Sequence, residues 1–307
     1  MLSFLSPKRA GAIRVWRNGA FCVGPNYIFA ASCFLSIIAV STASIALNNM
    51  LMLRILCGTS AFLSLGFMWL CSTSDPGICP WRTREEMERD TKNGVSKGKD
   101  AELVTFINKN GEEESALLRC KWCYTCNQFR PLRAVHCSYC GVCILRRDHH
   151  CPWVGTCVGE RNYRFYWFFL WSVTCLSLTV LVSGVWGIAI RVARLCGTVF
   201  CTEKSMFVSA FGETHYIEPT ISLVALISCA FVAPLAVYHA MLVTKNMTTG
   251  EELNCDGVSV HYFSRGGCVA NVKASLCSPI PPSIFQEGVS SLTPLATAVV
   301  MVEEAEV

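Results

Sequence analysis

The hydrophobic and polar positions of the chain separate four long apolar runs from more polar segments. The runs cover Tyr27–Leu47, Ile55–Ser72, Tyr166–Ile190 and Ile221–Val243, with lengths of 21, 18, 25 and 23 residues, and contain no Asp, Glu, Lys or Arg. A helix rises about 1.5 Å per residue, so about 20 residues cross the hydrocarbon core of a bilayer. A buried helix of a soluble protein can be equally apolar, but four such runs in one chain predict transmembrane helices.

Composition agrees with this pattern and excludes several classes of function. Hydrophobic residues make up 52% of the chain and charged residues 16%, and the mean hydropathy of +0.40 is high for a soluble domain. A net charge of +4 is too small to indicate nucleic-acid binding, and no glycine-rich phosphate loop is present. Because the runs lack acidic and basic residues, an ion-coupled transporter or channel is not indicated.

Basic residues at the ends of the runs predict the orientation in the membrane. Residues 1–26 contain four basic residues and no acid, and four arginines lie between Arg146 and Arg164, before the third run. The positive-inside rule therefore places both termini and the central loop in the cytosol, although three basic residues between the third and fourth runs make the signal mixed. The sequence does not specify whether an endomembrane or the plasma membrane holds the protein.

These patterns divide the chain into six segments with different expected roles. The charged stretch after the second run contains both signs of charge and is expected to be a partly flexible linker. Cys196 and Cys201, in the non-cytosolic loop, are compatible with a disulfide and equally with free thiols. The segments are a cytosolic N-terminal tail (1–26), transmembrane helices 1 and 2 (27–72), the linker (73–118), a cysteine-rich zinc domain (119–165), transmembrane helices 3 and 4 (166–243) and a cytosolic C-terminal tail (244–307).

The central loop contains the strongest chemical signal. Eight of the 20 cysteines and three of the six histidines lie between Cys120 and Cys157. Four Cys-x-x-Cys pairs occur there, and each sets two thiolates at a separation that suits two corners of a zinc tetrahedron. Histidines among the cysteines indicate zinc sites in a reducing compartment rather than a disulfide scaffold. Two closed tetrahedral sites would use eight of the eleven candidate ligands and leave three.

Within this loop, Asp148, His149, His150 and Cys151 stand side by side, and adjacent residues cannot all reach one metal. A cysteine thiolate is a good nucleophile, and a histidine held by a carboxylate generates it near neutral pH. Asp148, His149 and Cys151 are therefore a candidate catalytic relay. The alternative is that every ligand-like residue belongs to a membrane-anchored zinc module that only binds partner proteins, as an adaptor does.

Two arginines, Arg146 and Arg147, directly precede the relay. They would favour the thiolate or meet an anionic cofactor, or they are simply basic residues at the cytosolic surface of the membrane. Cys157 lies nine residues before the third run, so the relay is expected at the membrane–cytosol boundary. A long-chain acyl thioester suits that position, with its chain among the helices and its head group in the cytosol.

The spacing of these residues resembles that of the DHHC-type protein S-acyltransferases, or palmitoyltransferases. The resemblance covers residues 119–166 and follows the family pattern Cys-x2-Cys-x9-His-Cys-x2-Cys-x2-Cys-x4-Asp-His-His-Cys-x5-Cys-x4-Asn, from Cys123 to Asn162. Three further stretches resemble family motifs. They are Asp75-Pro76-Gly77 after the second run, Thr248-Thr249-Gly250-Glu251 after the fourth run, and a tail motif that places its asparagine at Asn271.

The chain departs from the family pattern at a few positions. Gly155-Thr156 stands where the family often has two asparagines, and Tyr166 replaces a usual phenylalanine. Cys120 lies outside the pattern, and it would be a free thiol or itself an acylation site. His239, in the fourth run, is expected to be a core residue rather than part of a site.

The resemblance implies a fold, an activity and residue roles. It implies an α-helical multi-pass membrane protein with four transmembrane helices and a cytosolic zinc-bound module of short strands and loops between helices 2 and 3. A palmitoyl group would pass from acyl-CoA to Cys151 and then to a cysteine of a client protein near the membrane, with His149 as base and Asp148 as its orienter. Thr249 would hold Asp148, and Trp153 would line the site. Two structural Zn²⁺ per chain would be bound by Cys123, Cys126, His136 and Cys143 and by Cys137, Cys140, His150 and Cys157.

Overall fold

Four long helices form the apolar part of the structure. The computed structural model describes residues 8–16, 19–80, 101–107, 112–196, 210–213, 216–253 and 262–285. The helices are α1 (Tyr27–Leu47), α2 (Leu51–Thr73), α3 (Tyr163–Cys196) and α4 (Ile217–Lys245). All four are long and apolar enough to cross a bilayer, which confirms the predicted transmembrane helices.

Three of the helices extend beyond the apolar runs that predicted them. α1 has the predicted bounds, whereas α2, α3 and α4 each begin three or four residues earlier than their runs. Helices continue into polar residues because their backbone hydrogen bonds do not depend on side-chain polarity, and they stop where the backbone conformation changes. α4 stops before Asn246, which is left-handed with φ 53°. Cys201 and the side chain of Cys196, the predicted candidates for pairing, lie outside the described residues.

α3 is the central helix of the bundle, because it packs along both α2 and α4 while α1 packs along α2. Towards the end of α3 that lies away from the cysteine-rich module, Gly184 and Gly187 leave no room for a Cβ atom, because Ser222 and Glu218 of α4 approach them closely. Arg191 forms an ion pair with the buried Glu218. This pairing offsets the cost of placing a carboxylate between apolar helices.

The predicted N-terminal tail is folded against the cysteine-rich module. Ile13 and Val15 alternate with the exposed Arg14, and both are buried in a cluster that includes Ile144 of the module. The partner of these side chains lies far away along the chain, and strands of three or four residues are too short to show a clear alternation. The sequence therefore gave little indication of this sheet. The three-stranded antiparallel sheet consists of β1 (Lys8–Ala10), β2 (Ile13–Trp16) and β3 (Phe21–Val23).

Part of the expected linker also has regular structure. β4 (Ala101–Ile107) and β5 (Glu113–Arg119) form an antiparallel two-stranded sheet in which Leu103 lies opposite Leu117. Phe106 is buried, and its ring packs edge-on against Tyr262 of the C-terminal segment at 5.2 Å. The structure therefore differs from a flexible linker at residues 101–107 and 112–119, whereas residues 81–100 and 108–111 lie outside the described part of the chain.

The cysteine-rich module between α2 and α3 is built from short antiparallel hairpins. It has little apolar core of its own, and cysteines supply much of its buried surface. A fold of this kind usually takes much of its stability from bound metal. The hairpins pair β6 (Trp122–Cys123) with β7 (Gln128–Phe129), β8 (Val135–Cys137) with β9 (Val142–Ile144), and β10 (His149–Cys151) with β11 (Thr156–Val158).

Asp75, in the Asp-Pro-Gly motif, fixes the turn that follows α2 and binds the C-terminal segment. Its Oδ1 accepts hydrogen bonds from the backbone N–H groups of Gly77 and Ile78 at 2.9 and 3.0 Å. Its Oδ2 accepts a hydrogen bond from the hydroxyl of Ser283 at 2.6 Å. Because Gly77 has φ +101°, a conformation that favours glycine, the motif turns the chain sharply from the helix into the module.

Asn162 makes a second joint between the module and the helices. The side chain is fully buried, and its Oδ1 accepts a hydrogen bond from the N–H of Gly159 at 2.8 Å. Its Nδ2 donates to the carbonyls of Cys71, in α2, and Cys157, in β11, at 3.1 and 2.9 Å. A single side chain therefore satisfies three backbone groups, one in α2 and two in the stretch from Cys157 to Gly159.

We expect Asn162→Ala to lower the free energy of unfolding by on the order of 3 kcal/mol, because each buried polar group left without a partner costs about 1–3 kcal/mol. Thermal unfolding of the detergent-solubilised protein would show a lower Tm. Asn49→Ala is the matched control, since Asn49 is exposed in the α1–α2 connection. Equal Tm values for the two variants would contradict the assigned role of Asn162.

Candidate active site

The first metal cluster joins the β6–β7 and β8–β9 hairpins. Its four side chains are Cys123, Cys126, His136 and Cys143, whose ligand atoms all lie within 4.8 Å of one another. The Sγ of Cys126 lies 3.3 Å from Nδ1 of His136 and 3.6 Å from the Sγ of Cys143. The structure thus brings together the four residues that the sequence assigned to one site.

The second metal cluster joins the β8–β9 and β10–β11 hairpins. Nδ1 of His150 lies 3.6, 3.4 and 3.6 Å from the Sγ atoms of Cys137, Cys140 and Cys157. The Sγ atoms of Cys140 and Cys157 are 3.6 Å apart. These four residues are the second predicted set.

Both clusters fit tetrahedral zinc. Four ligands about 2.3 Å from a central Zn²⁺ are separated from one another by about 3.8 Å, close to the distances between these atoms. Three thiolates and one imidazole are also the ligand types that zinc prefers, and a closed set of four leaves no position for a substrate. Both clusters can therefore hold a structural metal ion.

Strand alternation explains how adjacent residues serve different sites. In β8, His136 lies opposite Cys143 and faces the first cluster, whereas the next residue, Cys137, faces the second cluster. In β10, His150 lies opposite Cys157, and both face the second cluster. His149 and Cys151, on either side of His150, therefore point to the opposite face of the strand.

That opposite face carries the candidate relay. Nδ1 of His149 lies 2.7 Å from Oδ2 of the buried Asp148. Thr249, which begins the short helix α5 (Thr249–Leu253), donates its backbone N–H to Oδ1 and its hydroxyl to Oδ2 of Asp148, both at 2.8 Å. Cys151 is buried in the apolar cluster that continues into the transmembrane helices. The thiol therefore faces the helices rather than the second metal cluster.

The pKa values of the relay follow from these contacts. Burial disfavours the charged form of His149, but hydrogen bonds to Asp148 and Cys151 outweigh it and raise the pKa of His149 to about 9. Burial also disfavours ionised Asp148, but the hydrogen bond and charge of His149 lower the pKa of Asp148 below its ordinary value. Asp148 thus makes the imidazole a stronger base and stays ionised itself.

His239 packs beside the relay. The sequence analysis did not predict this position. It is buried, and its ring centroid lies 5.9 Å from that of His149. Its Nδ1 lies 3.1 Å from the hydroxyl of Tyr163, and both histidine rings meet the ring of Tyr166 edge-on at 5.1 Å. His239 is a core residue, as expected, but it forms part of the wall behind His149. The available signal was a lone histidine within an apolar run.

Arg146 and Arg147 have separate environments. Arg146 is partly buried, and its Nη2 donates to Oδ1 of Asn246 at 2.7 Å and to the hydroxyl of Ser275 at 2.9 Å. Burial lowers the pKa of Arg146 to about 10. Arg147 lies beside the thiols of the second metal cluster, at Cys157. Through its hydrogen bonds to Asn246 and Ser275, Arg146 connects the segment after α4 to the residues that precede the relay.

An ion pair that the sequence did not reveal holds the segment carrying Thr249. Nε and Nη2 of Arg133 donate to the two carboxylate oxygens of Glu251, each at 2.7 Å. Nη2 also donates to the carbonyl of Asn246 at 3.0 Å, and the guanidinium lies 4.4 Å from the ring centre of Phe263. This bidentate contact ties the cysteine-rich module to the end of α4.

The remaining predicted residues lie at the margins of the site. Trp153 is in the short turn after Cys151 and is 64% exposed. Asn271 is buried, and its Nδ2 donates to the carbonyl of Thr244 at 2.9 Å, close to the end of α4. Cys120 is buried outside both metal clusters, and its thiol lies 3.6 Å from a carboxylate oxygen of Glu102.

Comparison with known proteins agrees with this geometry. Residues 118–256 match the family model described as DHHC palmitoyltransferase. Palmitoyltransferase ZDHHC9 of Pongo abelii is 31% identical over 72% of this chain and 60% of its own length. Residues 118–256 are a DHHC palmitoyltransferase domain. This match confirms the resemblance that the cysteine spacing suggested.

Other members of the family align over a similar part of the chain. Palmitoyltransferase ZDHHC18 of Homo sapiens is 30% identical over 73% of this chain and 57% of its own length. Palmitoyltransferase ZDHHC14 of Homo sapiens is 29% identical over 74% of this chain and 46% of its own length. The alignments thus cover less than two thirds of the length of these relatives.

The two clusters predict two zinc ions per chain and the loss of one when one cluster is broken. Metal analysis of the purified protein by inductively coupled plasma mass spectrometry should find two in the wild type and about one in Cys140→Ala, since a tetrahedral site rarely survives the loss of a ligand. Cys120→Ala is the matched control and should keep both ions. A zinc count that falls equally in both variants would contradict the ligand assignment.

Proposed function

We propose that the protein is a protein-cysteine S-acyltransferase that moves a long-chain acyl group, such as palmitoyl, from acyl-CoA to cysteines of client proteins. The observation that carries the proposal is the Asp148–His149–Cys151 relay, with its thiol facing the transmembrane helices. A module that served only to bind partners would have no need for a carboxylate held by two hydrogen bonds from Thr249.

In the first step, Cys151 becomes acylated. His149 takes the proton of the Cys151 thiol, and Sγ forms a bond with the carbonyl carbon of acyl-CoA. The bond between that carbon and the sulfur of coenzyme A breaks, and the departing thiolate receives the proton from His149. Asp148 stabilises the imidazolium between these events. The product is an acyl thioester on Cys151.

In the second step, the acyl group passes to the client. His149 takes the proton of a client cysteine, and the client sulfur forms a bond with the acyl carbonyl carbon. The bond from that carbon to Sγ of Cys151 breaks, and the sulfur of Cys151 regains a proton from His149. The enzyme returns to its starting state, and the thioester has moved from one sulfur to another.

The location of the thiol supports a lipid acyl donor and membrane-bound clients. Cys151 lies in one apolar cluster with residues of α1, α2, α3 and α4, so a long chain would lie among the helices. The head group of coenzyme A and the client would approach from the cytosol, with both termini of the chain on that side of an endomembrane or plasma membrane. Trp153 would line the approach to the thioester.

The proposal predicts that Cys151→Ser abolishes acylation of the enzyme. Purified protein incubated with radiolabelled palmitoyl-CoA should acquire label that hydroxylamine releases, because hydroxylamine cleaves thioesters. Cys151→Ser should acquire almost none. Cys120→Ser is the matched control, since that thiol lies outside both metal clusters and the relay. Equal label on Cys151→Ser and wild type would overturn the proposal in favour of a partner-binding module.

We expect Thr249→Val to lower kcat by about 10-fold to 100-fold with little change in KM, because a hydrogen bond to a charged group contributes about 1.5–3 kcal/mol. The variant keeps the backbone N–H that bonds Asp148 and loses only the hydroxyl. Steady-state transfer of palmitoyl to a client peptide would measure the effect.

Thr244→Val is the control for this variant, because the Thr244 hydroxyl donates only to the carbonyl of Met241 within α4. Its kcat should match that of the wild type. A wild-type kcat in Thr249→Val as well would show that the Thr249 hydroxyl does not position Asp148.

A further inference from the structure

The N-terminal sheet covers the second metal cluster. The backbone N–H of Ala12, in the β1–β2 turn, donates to the carbonyl of Cys140 at 2.8 Å. Gly11 has φ +58°, and a Cβ atom there would collide with the same carbonyl. The turn thus depends on glycine for a close approach to the Cys137–Cys140 loop. Residues before α1 therefore contribute directly to the surroundings of the cluster.

Asn26 makes the most specific of these contacts. It occupies the N-cap position of α1, where an asparagine side chain normally accepts a hydrogen bond from the first turn of the helix. Its side chain makes no such bond, and its Oδ1 instead lies 2.8 Å from Nε2 of His150. The side chain therefore bonds to a histidine of the metal cluster, 124 positions away along the chain, and does not cap α1.

This contact determines which nitrogen of His150 carries the hydrogen. Nδ1 faces the three thiols of the cluster and must be unprotonated to bind a metal ion. Nε2 then carries the hydrogen, and the amide oxygen of Asn26 accepts it. Tyr139 stacks on the imidazole at 4.8 Å and fixes the plane of the ring. Such outer contacts orient a metal-binding histidine and raise its basicity.

The backbone of Asn26 extends the connection to the relay and to the membrane. Its N–H donates to the carbonyl of Gly155, in the loop that follows Cys151, at 3.2 Å, and its carbonyl accepts the N–H of Ala30 in α1 at 3.3 Å. One residue therefore contacts the cluster histidine, the loop after the nucleophile and the first transmembrane helix.

We propose that Asn26 is an outer-sphere residue of the second zinc site that holds His150 in its metal-binding tautomer and orientation. The proposal concerns metal retention and does not depend on acyl transfer. It predicts that the site loses about 10-fold to 100-fold in metal affinity when the acceptor is removed.

The test titrates purified full-length protein with a zinc chelator, alkylates the released thiols with N-ethylmaleimide and locates them by mass spectrometry. In Asn26→Ala, the cysteines of the second cluster should become reactive at about 10-fold to 100-fold lower chelator concentration than in the wild type. The cysteines of the first cluster serve as an internal control and should be unchanged. No acyl-CoA is present, so the result is independent of the proposed activity.

Two further variants separate the metal contact from helix capping. Asn26→Ser keeps a good N-cap residue but is too short to reach His150, so it should behave like Asn26→Ala. Asn26→Asp keeps an oxygen at the same position and should retain the metal as the wild type does. Wild-type protection in Asn26→Ser would overturn the proposal, as would equal loss of protection at both clusters in Asn26→Ala, which would indicate general unfolding.

Discussion

Successive side chains of a β-strand point to opposite faces, and the cysteine-rich module depends on this alternation. His136 and Cys137 are neighbours in β8, yet they face different metal clusters. His150 faces the second cluster, while His149 and Cys151 face the transmembrane helices. A single short strand thus directs His150 to one of its faces and two residues of the candidate relay, His149 and Cys151, to the other. Without that strand the four adjacent residues would compete for the same partners.

The two clusters hold the hairpins of this small module together. Polar contacts then connect the module to the helices. Asn162 and Asp75 bind backbone groups where α2 ends and α3 begins. Arg133 and Glu251 connect the module to the segment after α4, which brings Thr249 onto Asp148. Both side chains of this ion pair are partly buried, and its bidentate geometry makes the contact specific. The relay therefore assembles only when the module and the bundle are joined.

The N-terminal segment belongs to the same assembly. Its sheet buries Ile13 and Val15 against the module, and Asn26 bonds to His150 instead of capping its own helix. The contact links the first transmembrane helix to the second metal cluster and to the loop after Cys151.

The sequence by itself determined the four transmembrane helices and the metal-like spacing of the cysteine-rich segment, and it offered Asp148, His149 and Cys151 as a candidate relay, whereas the division of the ligands into two sets came from the family resemblance. These are local features, because the length of an apolar run, the spacing of metal ligands and the alternation along a strand all depend on residues that are close together in the sequence. Only the tertiary structure decided the N-terminal sheet, the Arg133–Glu251 pair, and the positions of His239 and Asn26. Each of these depends on a partner far away along the chain, and a short strand or a single polar side chain carries no sign of which distant group it will meet.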